Sequence, residues 1–314
     1  MIIPHHLLSS TSIFRRRSIQ ASLGSALIVI LLYRFFFQAA PLVPTVPRPQ
    51  EIPPKIWQIF FGYSPLSDFS DPLQTWISKN QDHSYTLVSN DGGNDFVRKH
   101  YATRPDILSP FLELRFPILR SDFLRYLLLE SEGGVYTDLD TACTKPVRDW
   151  VPEGLRSQTR AIVGIEYDQR DDEPYVGMSG TRMQFCQWTM AASKGHPLMS
   201  KVANSVVESL HMLARRHGKS IRDLEPSDDE VVEVTGPVIW TRAVMESLSE
   251  ATGTSMSYVN MTGLKEPTLF GDILVLPIDG FGAGQPHSGS TREGDADAYA
   301  RHLFKGSWKH GWGG

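Results

Sequence analysis

Two aspartates stand two residues apart in Glu132-Gly133-Gly134-Val135-Tyr136-Thr137-Asp138-Leu139-Asp140-Thr141. Carboxylates that close repel each other, and a cation between them relieves the repulsion. In an extended segment, residues two apart share a face, so Asp138 and Asp140 are expected to aim together while Leu139 turns into the core. Two hard oxygen donors suit Mn²⁺ or Mg²⁺, which keep positions open for water or phosphate oxygens. A divalent cation held this way can stabilise a diphosphate as it leaves. A bare D-x-D pair occurs by chance in many chains, so its neighbours decide its meaning. Asp122 and Arg125, at i and i+3 on one helical face, are either an exposed ion pair of little worth or a polar pair gripping substrate hydroxyls.

The elements that must position these residues alternate between strand and helix. Strands are expected over 55–61, 85–89, 135–137, 161–165 and 273–276, with Asn90-Asp91-Gly92-Gly93 as the turn that ends the second. Helices are expected over 72–80 (opened by Asp71), 119–132, 182–193, 197–217 and 237–250. In the 119–132 helix, Phe123, Leu124, Leu127 and Leu128 form an apolar stripe, and Gly133-Gly134 stops it. The strand that follows would deliver Asp138 and Asp140 to the crevice at its C-terminal end. The pattern predicts an α/β domain with a mostly parallel sheet.

The chain has 314 residues and a formal net charge of −4, so it can bury a sizeable core and carries no nucleic-acid footprint. The acidic run Asp228-Asp229-Glu230 reads as a solvated loop. Cys143 and Cys186 are too few for a zinc site; they are either one bridge or two separate thiols. Arg15-Arg16-Arg17 precedes a largely apolar stretch, residues 19–40, interrupted by Arg34. That order predicts an uncleaved transmembrane anchor with a cytosolic tail over residues 1–18. Gln38-Ala39-Ala40-Pro41 is a poor signal-peptidase site, and an all-round apolar stretch does not suit a mitochondrial presequence. A proline-rich stalk over 41–51 then leads into the domain, 52–314. The expected product is a single-pass type II protein with a lumenal catalytic domain, in the Golgi or endoplasmic reticulum membrane.

Arg120-Ser121-Asp122-Phe123-Leu124-Arg125-Tyr126, together with the Glu132–Thr141 stretch, resembles the signature of the D-x-D glycosyltransferases of family 32. That group holds the fungal initiation-specific α-1,6-mannosyltransferases. The resemblance continues through Lys145-Pro146-Val147, Val163-Gly164-Ile165-Glu166-Tyr167-Asp168, Gln184-Phe185-Cys186-Gln187-Trp188-Thr189-Met190, Thr235-Gly236-Pro237, Gly271-Asp272-Ile273-Leu274-Val275-Leu276-Pro277 and Gly306-Ser307-Trp308-Lys309. It covers roughly residues 52–309. It implies a GT-A, Rossmann-like fold and retaining transfer of a hexose, mannose from GDP-mannose, to a glycan acceptor in protein glycosylation. It also implies a place in a Golgi glycosyltransferase complex. Asp138 and Asp140 would serve the metal and the catalytic centre, with His302 as third ligand and His287 and His310 as rivals. Asp122, Arg125, Tyr136, Phe60 and Lys309 would contact the donor. One departure stands in the first strand: family members often read His-Gln-Ile-Trp, and this chain has Trp57-Gln58-Ile59-Phe60. Phe60 could still stack on a base, and Trp57 reads equally well as core.

No nucleophile or base is evident; Glu166 and Asp168 read as ordinary solvated carboxylates. The acceptor could instead be an inositolphosphorylceramide, taking mannose or galactose. Asn260-Met261-Thr262 is a glycosylation sequon. Two readings lie in other classes. Asp138-Leu139-Asp140-Thr141 is similar to the motif of aspartyl-nucleophile phosphatases, but Ala142 stands where they have threonine or valine. A lumenal binding module with a decayed site is the other, and the intact acid pair argues against it.

Overall fold

The computed structural model describes residues 51–62, 64–169, 182–284, 290–291 and 298–305. The expected tail, anchor and stalk up to residue 50 lie outside them, as do Lys309, His287 and His310. Among the described residues, no helix is long and apolar enough to cross a membrane.

The strands are β1 Lys55–Ile59, β2 Ser84–Val88, β3 Gly134–Thr137, β4 Thr141–Cys143, β5 Ala161–Asp168, β6 Met183–Phe185, β7 Thr189–Ala192, β8 Thr268–Phe270, β9 Ile273–Leu276 and β10 Ala300–His302. The helices are α1 Ser70–Lys79, α2 Asn90–His100, α3 Pro105–Glu113, α4 Pro117–Glu132, α5 Pro197–His217, α6 Asp228–Val234, α7 Pro237–Thr252 and the single turn α8 Ile278–Phe281. The central sheet runs β2-β1-β3-β7-β5-β9-β8, with β6 on β5. It is mixed: β7 runs antiparallel to both β3 and β5, and β8 antiparallel to β9, while the remaining strands of that path share one direction. The strand ends that share that direction therefore open on one side, where α/β sheets bind ligands.

Helix α4 is the spine of the domain. It is buried on nearly every side, from Leu119 to Leu129, so the expected apolar stripe is part of a helix enclosed all round. Phe123 and Leu127 are fully buried, each contributing about 1.5–3 kcal/mol. The double glycine after it has two reasons. Gly133 and Gly134 both take positive φ, 66° and 105°. A Cβ at Gly133 would also sit 2.6 Å from the Lys194 nitrogen, and one at Gly134 2.6 Å from the Lys55 carbonyl. The helix thus turns straight into β3 with no room for a side chain.

Three local expectations are corrected. The 182–193 stretch is not a helix but strands β6 and β7. Every residue from 183 to 193 is buried, so no polar side marks a period, and pairing with β3 and β5 overrides the local signal. Asn90-Asp91-Gly92-Gly93 is not a turn but the start of α2, capped by the Ser89 hydroxyl, which accepts from Gly92 N. Gly93 is there because a Cβ would meet Leu124 Cδ2 at 2.8 Å. The acidic run 228–230 opens α6 in a capping box with Ser227, where acids complement the helix dipole. The 72–80 helix begins at Ser70, after a 3₁₀ turn at Leu66–Phe69. Cys143 and Cys186 are buried free thiols, so no bridge joins them.

Candidate active site

Strand β3 ends at Thr137, and Asp138 to Asp140 form a turn rather than an extended segment. The Thr141 N–H and hydroxyl both donate to the Asp138 carbonyl, at 3.2 and 2.6 Å. The acids converge because the chain bends, not because a strand is pleated. Leu139 is buried at 8% exposure, as expected. A buried chain of hydroxyls supports the turn: Thr137 meets Thr141 at 2.6 Å and Thr189 at 2.8 Å. The Gln58 amide donates to the Asp138 carbonyl at 3.0 Å, and Asp138 N–H donates to the Trp188 carbonyl at 2.8 Å.

The Asp138 side chain is gripped from behind. Its Oδ1 accepts from the Tyr136 hydroxyl at 2.5 Å and lies 3.5 Å from Arg125. Arg125 pairs with Asp122 at 2.7 Å, donates to the Gln187 carbonyl at 3.2 Å and lies over the Tyr136 ring at 4.9 Å. Asp122 takes the Thr235 hydroxyl on its other oxygen at 2.9 Å. Asp122 and Arg125 are buried, so the exposed-pair reading fails. Burial pushes the Asp122 carboxyl up to about 6, with Arg125 and Thr235 pulling the other way.

Asp140 belongs to a different framework. β10 pairs antiparallel with β4, setting His302 opposite Thr141, and Leu303 N–H donates to the Asp140 carbonyl at 2.9 Å. His302 Nε2 then faces Asp140 Oδ1 at 3.4 Å, while Lys305 N–H takes Asp140 Oδ2 at 3.0 Å. Burial raises the Asp140 carboxyl, His302 opposes the rise and Asp138 adds to it. His302 packs against Trp188 at 5.1 Å and Phe304 at 4.2 Å. Its Nδ1 accepts from Phe304 N–H at 3.0 Å, so in the neutral ring the proton sits on Nε2. Phe304, exposed and with φ of 49°, carries this bend.

Asp138, Asp140 and His302 each offer one ligand atom, all within 4.8 Å of one another. Two carboxylates and an imidazole fit a small divalent cation such as Mn²⁺ or Mg²⁺. The other expected residues fall as follows. Phe60 is half-buried just past β1, and Trp57 is core, its indole donating to the Gly133 carbonyl at 2.8 Å. Glu166 and Asp168 are buried, not solvated. Glu166 accepts from Gln184 and Trp188 at 2.8 and 3.0 Å, and Asp168 holds Thr262 and Gly263, each at 2.7 Å. In the sequon, Asn260 is exposed while the Thr262 hydroxyl is engaged by Asp168. Sequence reasoning missed Gln58, Thr137, Gln187, Trp188 and Thr235 as supports. Apart from the Thr137–Thr141 contact, their partners lie far along the chain.

The α/β sheet thus ends in an acid pair that β10 joins to a histidine and a buried arginine backs, an arrangement suited to a divalent cation. Residues 67–156 match the family described as the glycosyltransferase sugar-binding region containing DXD motif. The initiation-specific alpha-1,6-mannosyltransferase of Schizosaccharomyces pombe is 35% identical over 273 residues, 84% of this chain and 65% of that protein. Its namesake from Candida albicans is 31% identical over 254 residues, 75% of this chain and 66% of that protein. Residues 67–156 of the chain are thus similar to this DXD glycosyltransferase family, and the likeness to its named members runs well beyond them. The chain spans less than two thirds of the length of those relatives, 65% and 66%. A looser structural likeness, TM-score 0.43 at 17% identity over 68% of this chain and 75% of the other, is to the PaToxG glycosyltransferase. The likeness to the family rests on the sequence matches.

Proposed function

We propose that the protein is a membrane-anchored, metal-dependent hexosyltransferase of GT-A type. It moves mannose from GDP-mannose to a glycan acceptor, with retention and in α-1,6 linkage. The observation that carries this reading is the convergence of Asp138, Asp140 and His302 beside the buried Arg125–Asp122 pair, in a chain 35% identical to a protein named for that activity. Asp138, Asp140 and His302 would hold Mn²⁺ or Mg²⁺, which when bound neutralises charge on a departing diphosphate. The chain's own residues do the remaining work. Arg125 and the Tyr136 hydroxyl both hold Oδ1 of Asp138. The fixed charges need no rearrangement as negative charge develops on the leaving group. Phe60 offers a half-buried ring for the nucleobase. The acceptor hydroxyl attacks from the face the diphosphate vacates. The membrane anchor, the Golgi setting and a Golgi glycosyltransferase complex belong to the same proposal.

The test is a donor panel with the full chain in Mn²⁺ and in chelator, with glycan and inositolphosphorylceramide acceptors and linkage analysis of the product. GDP-mannose should be turned over on the glycan only with metal. Asp140→Ala should lower turnover by at least about 10²-fold, the order seen when one transition-state contact is removed, while staying folded. Full activity in chelator or in Asp140→Ala would refute the site. Turnover only on the ceramide would move the acceptor class, and release of free phosphate from a phosphomonoester would favour the phosphatase.

A further inference from the structure

A cavity of 320 Å³ opens beside the first turn of α4. Its wall includes Asn90 at the start of α2, Glu113 at the end of α3, Arg115 in the link to α4, Arg120 in α4 and Arg222 in a 3₁₀ turn. Residues 120 and 122 are about 200° apart around a helix. The cavity therefore lies across α4 from the Asp122–Arg125–Asp138 network. It still lies toward the same end of the sheet. Asn90 follows β2 and Asp138 follows β3, with β1 between them, a separation of two strand spacings, about 10 Å.

Its charge is unbalanced. Three arginines and one glutamate line it, a formal +2 (three minus one). Arg115 and Arg222 are exposed, and neither makes an ion pair among the described residues. Arg120 is 8% exposed and pinned: it donates to the Leu114 carbonyl at 3.2 Å and to the Asn94 side chain, and stacks 4.7 Å from the Phe111 ring centroid. Glu113 takes the Ser109 hydroxyl at 3.1 Å. α4 starts at the wall with no side-chain cap, adding the positive end of its dipole.

We propose that this cavity binds a phosphate group, at a site separate from the acid pair. A phosphomonoester carries about −1.5 to −2 charges at neutral pH, which matches the excess, whereas a carboxylate neutralises half of it. Guanidinium forks also fit phosphate oxygens. The phosphate could belong to a phosphorylated sugar on the acceptor side or to a free nucleotide. Thermal shift and calorimetry on the full chain in chelator test this, with inorganic phosphate, a hexose 6-phosphate and a nucleoside diphosphate as probes. Phosphate should stabilise wild type and Asp140→Ala alike. The Arg115→Gln/Arg222→Gln double variant, substituted at exposed positions and so expected to keep its ligand-free Tm, should bind at least about tenfold more weakly, as loss of charge-assisted hydrogen bonds requires. Tighter binding of hexose phosphate than of nucleotide upholds the site and assigns it to the acceptor side; the reverse order upholds it and assigns it to the nucleotide. Equal binding by wild type and the double variant, an adventitious ion only, overturns the proposal. So does binding that disappears in Asp140→Ala. Because the assay uses neither metal nor turnover, its failure leaves the transferase reading untouched.

Discussion

The two acids of the site are held by different kinds of structure. Asp138 is anchored to the interior although its own side chain is the more exposed, 25% against 13% for Asp140: Arg125, Tyr136 and Gln58 reach it from buried positions on α4, β3 and β1. Asp140 is anchored from the margin, by two three-residue strands and by backbone N–H groups of Leu303 and Lys305. One half is set when the core folds. The other depends on a late segment whose Phe304 and Leu303 side chains are exposed. A site built so can keep one ligand fixed while the other ligands adjust around an arriving diphosphate. The difference also sorts mutations: the interior half should register in stability, the margin in metal affinity.

The largest effect should come from Arg125→Met. Removing the guanidinium leaves Asp122 buried beside Asp138 without their shared cation. Breaking a buried pair at one partner costs about 3–5 kcal/mol, a fall in Tm on the order of 10 °C for a domain of this size. Thermal unfolding measures it. Arg125→Met/Asp122→Leu should recover part of the loss, because no buried charge is then stranded. A Tm unchanged in Arg125→Met would mean that the network is not a support, and the contrast between the halves would fail.

His302→Ala should do the reverse. The ring packs on Trp188 and Phe304 near the surface, so the fold should tolerate its loss. Mn²⁺ affinity, read by electron paramagnetic resonance, should drop at least about tenfold, as for loss of groups that tune a metal site. Ligation through Nε2 requires its proton to move to Nδ1, which now accepts from Phe304 N–H. Metal binding by wild type should therefore turn the Phe304 amide away, and amide hydrogen exchange at that position should report it. Unaltered Mn²⁺ affinity in the variant would remove His302 from the ligand set.

The interior half was the more legible in the sequence, for a physical reason. Asp122, Arg125 and the acid pair lie within one helix–strand unit, where caps, glycines and periodicity act over a few residues. Helix α5 was expected over 197–217 and occupies Pro197–His217; proline at its start and a glycine at its end are local signals. The supports were not local. Gln58, Gln187 and Thr235 are neutral polar residues with no pattern of their own, and each matters only because elements distant in the chain bring it to Asp138, Arg125 or Asp122. β4 and β10 are too short to announce themselves and exist by pairing with each other. The resemblance named His302, but its route to Asp140 runs through that pairing. The strand end at Thr137 is as expected, but Asp138–Asp140 form a turn where extended backbone is expected, because a D-x-D pair converges in either geometry.

The smallest effect separates burial from pairing within the interior half, through pH. The Asp122 carboxyl sits at about 6 in the folded protein against an ordinary 3.8, burial being the larger cause. A carboxyl raised on folding binds its proton more tightly in the native state. Its contribution is present below the unfolded value and is lost as pH rises through the folded one. Asp122→Asn removes that titration and keeps the shape. The Tm of wild type minus that of Asp122→Asn should therefore shrink as pH goes from about 4 to about 6.5, by a few degrees, and level off above. If attraction to Arg125 outweighed burial, the carboxyl would sit below 3.8, and the difference would grow with pH instead. Differencing the two proteins cancels acids shifted the other way, such as Glu132 beside Lys55. A difference that grows with pH would make the Arg125 pair a net source of stability. It would then be no longer a burial cost retained to aim Asp138.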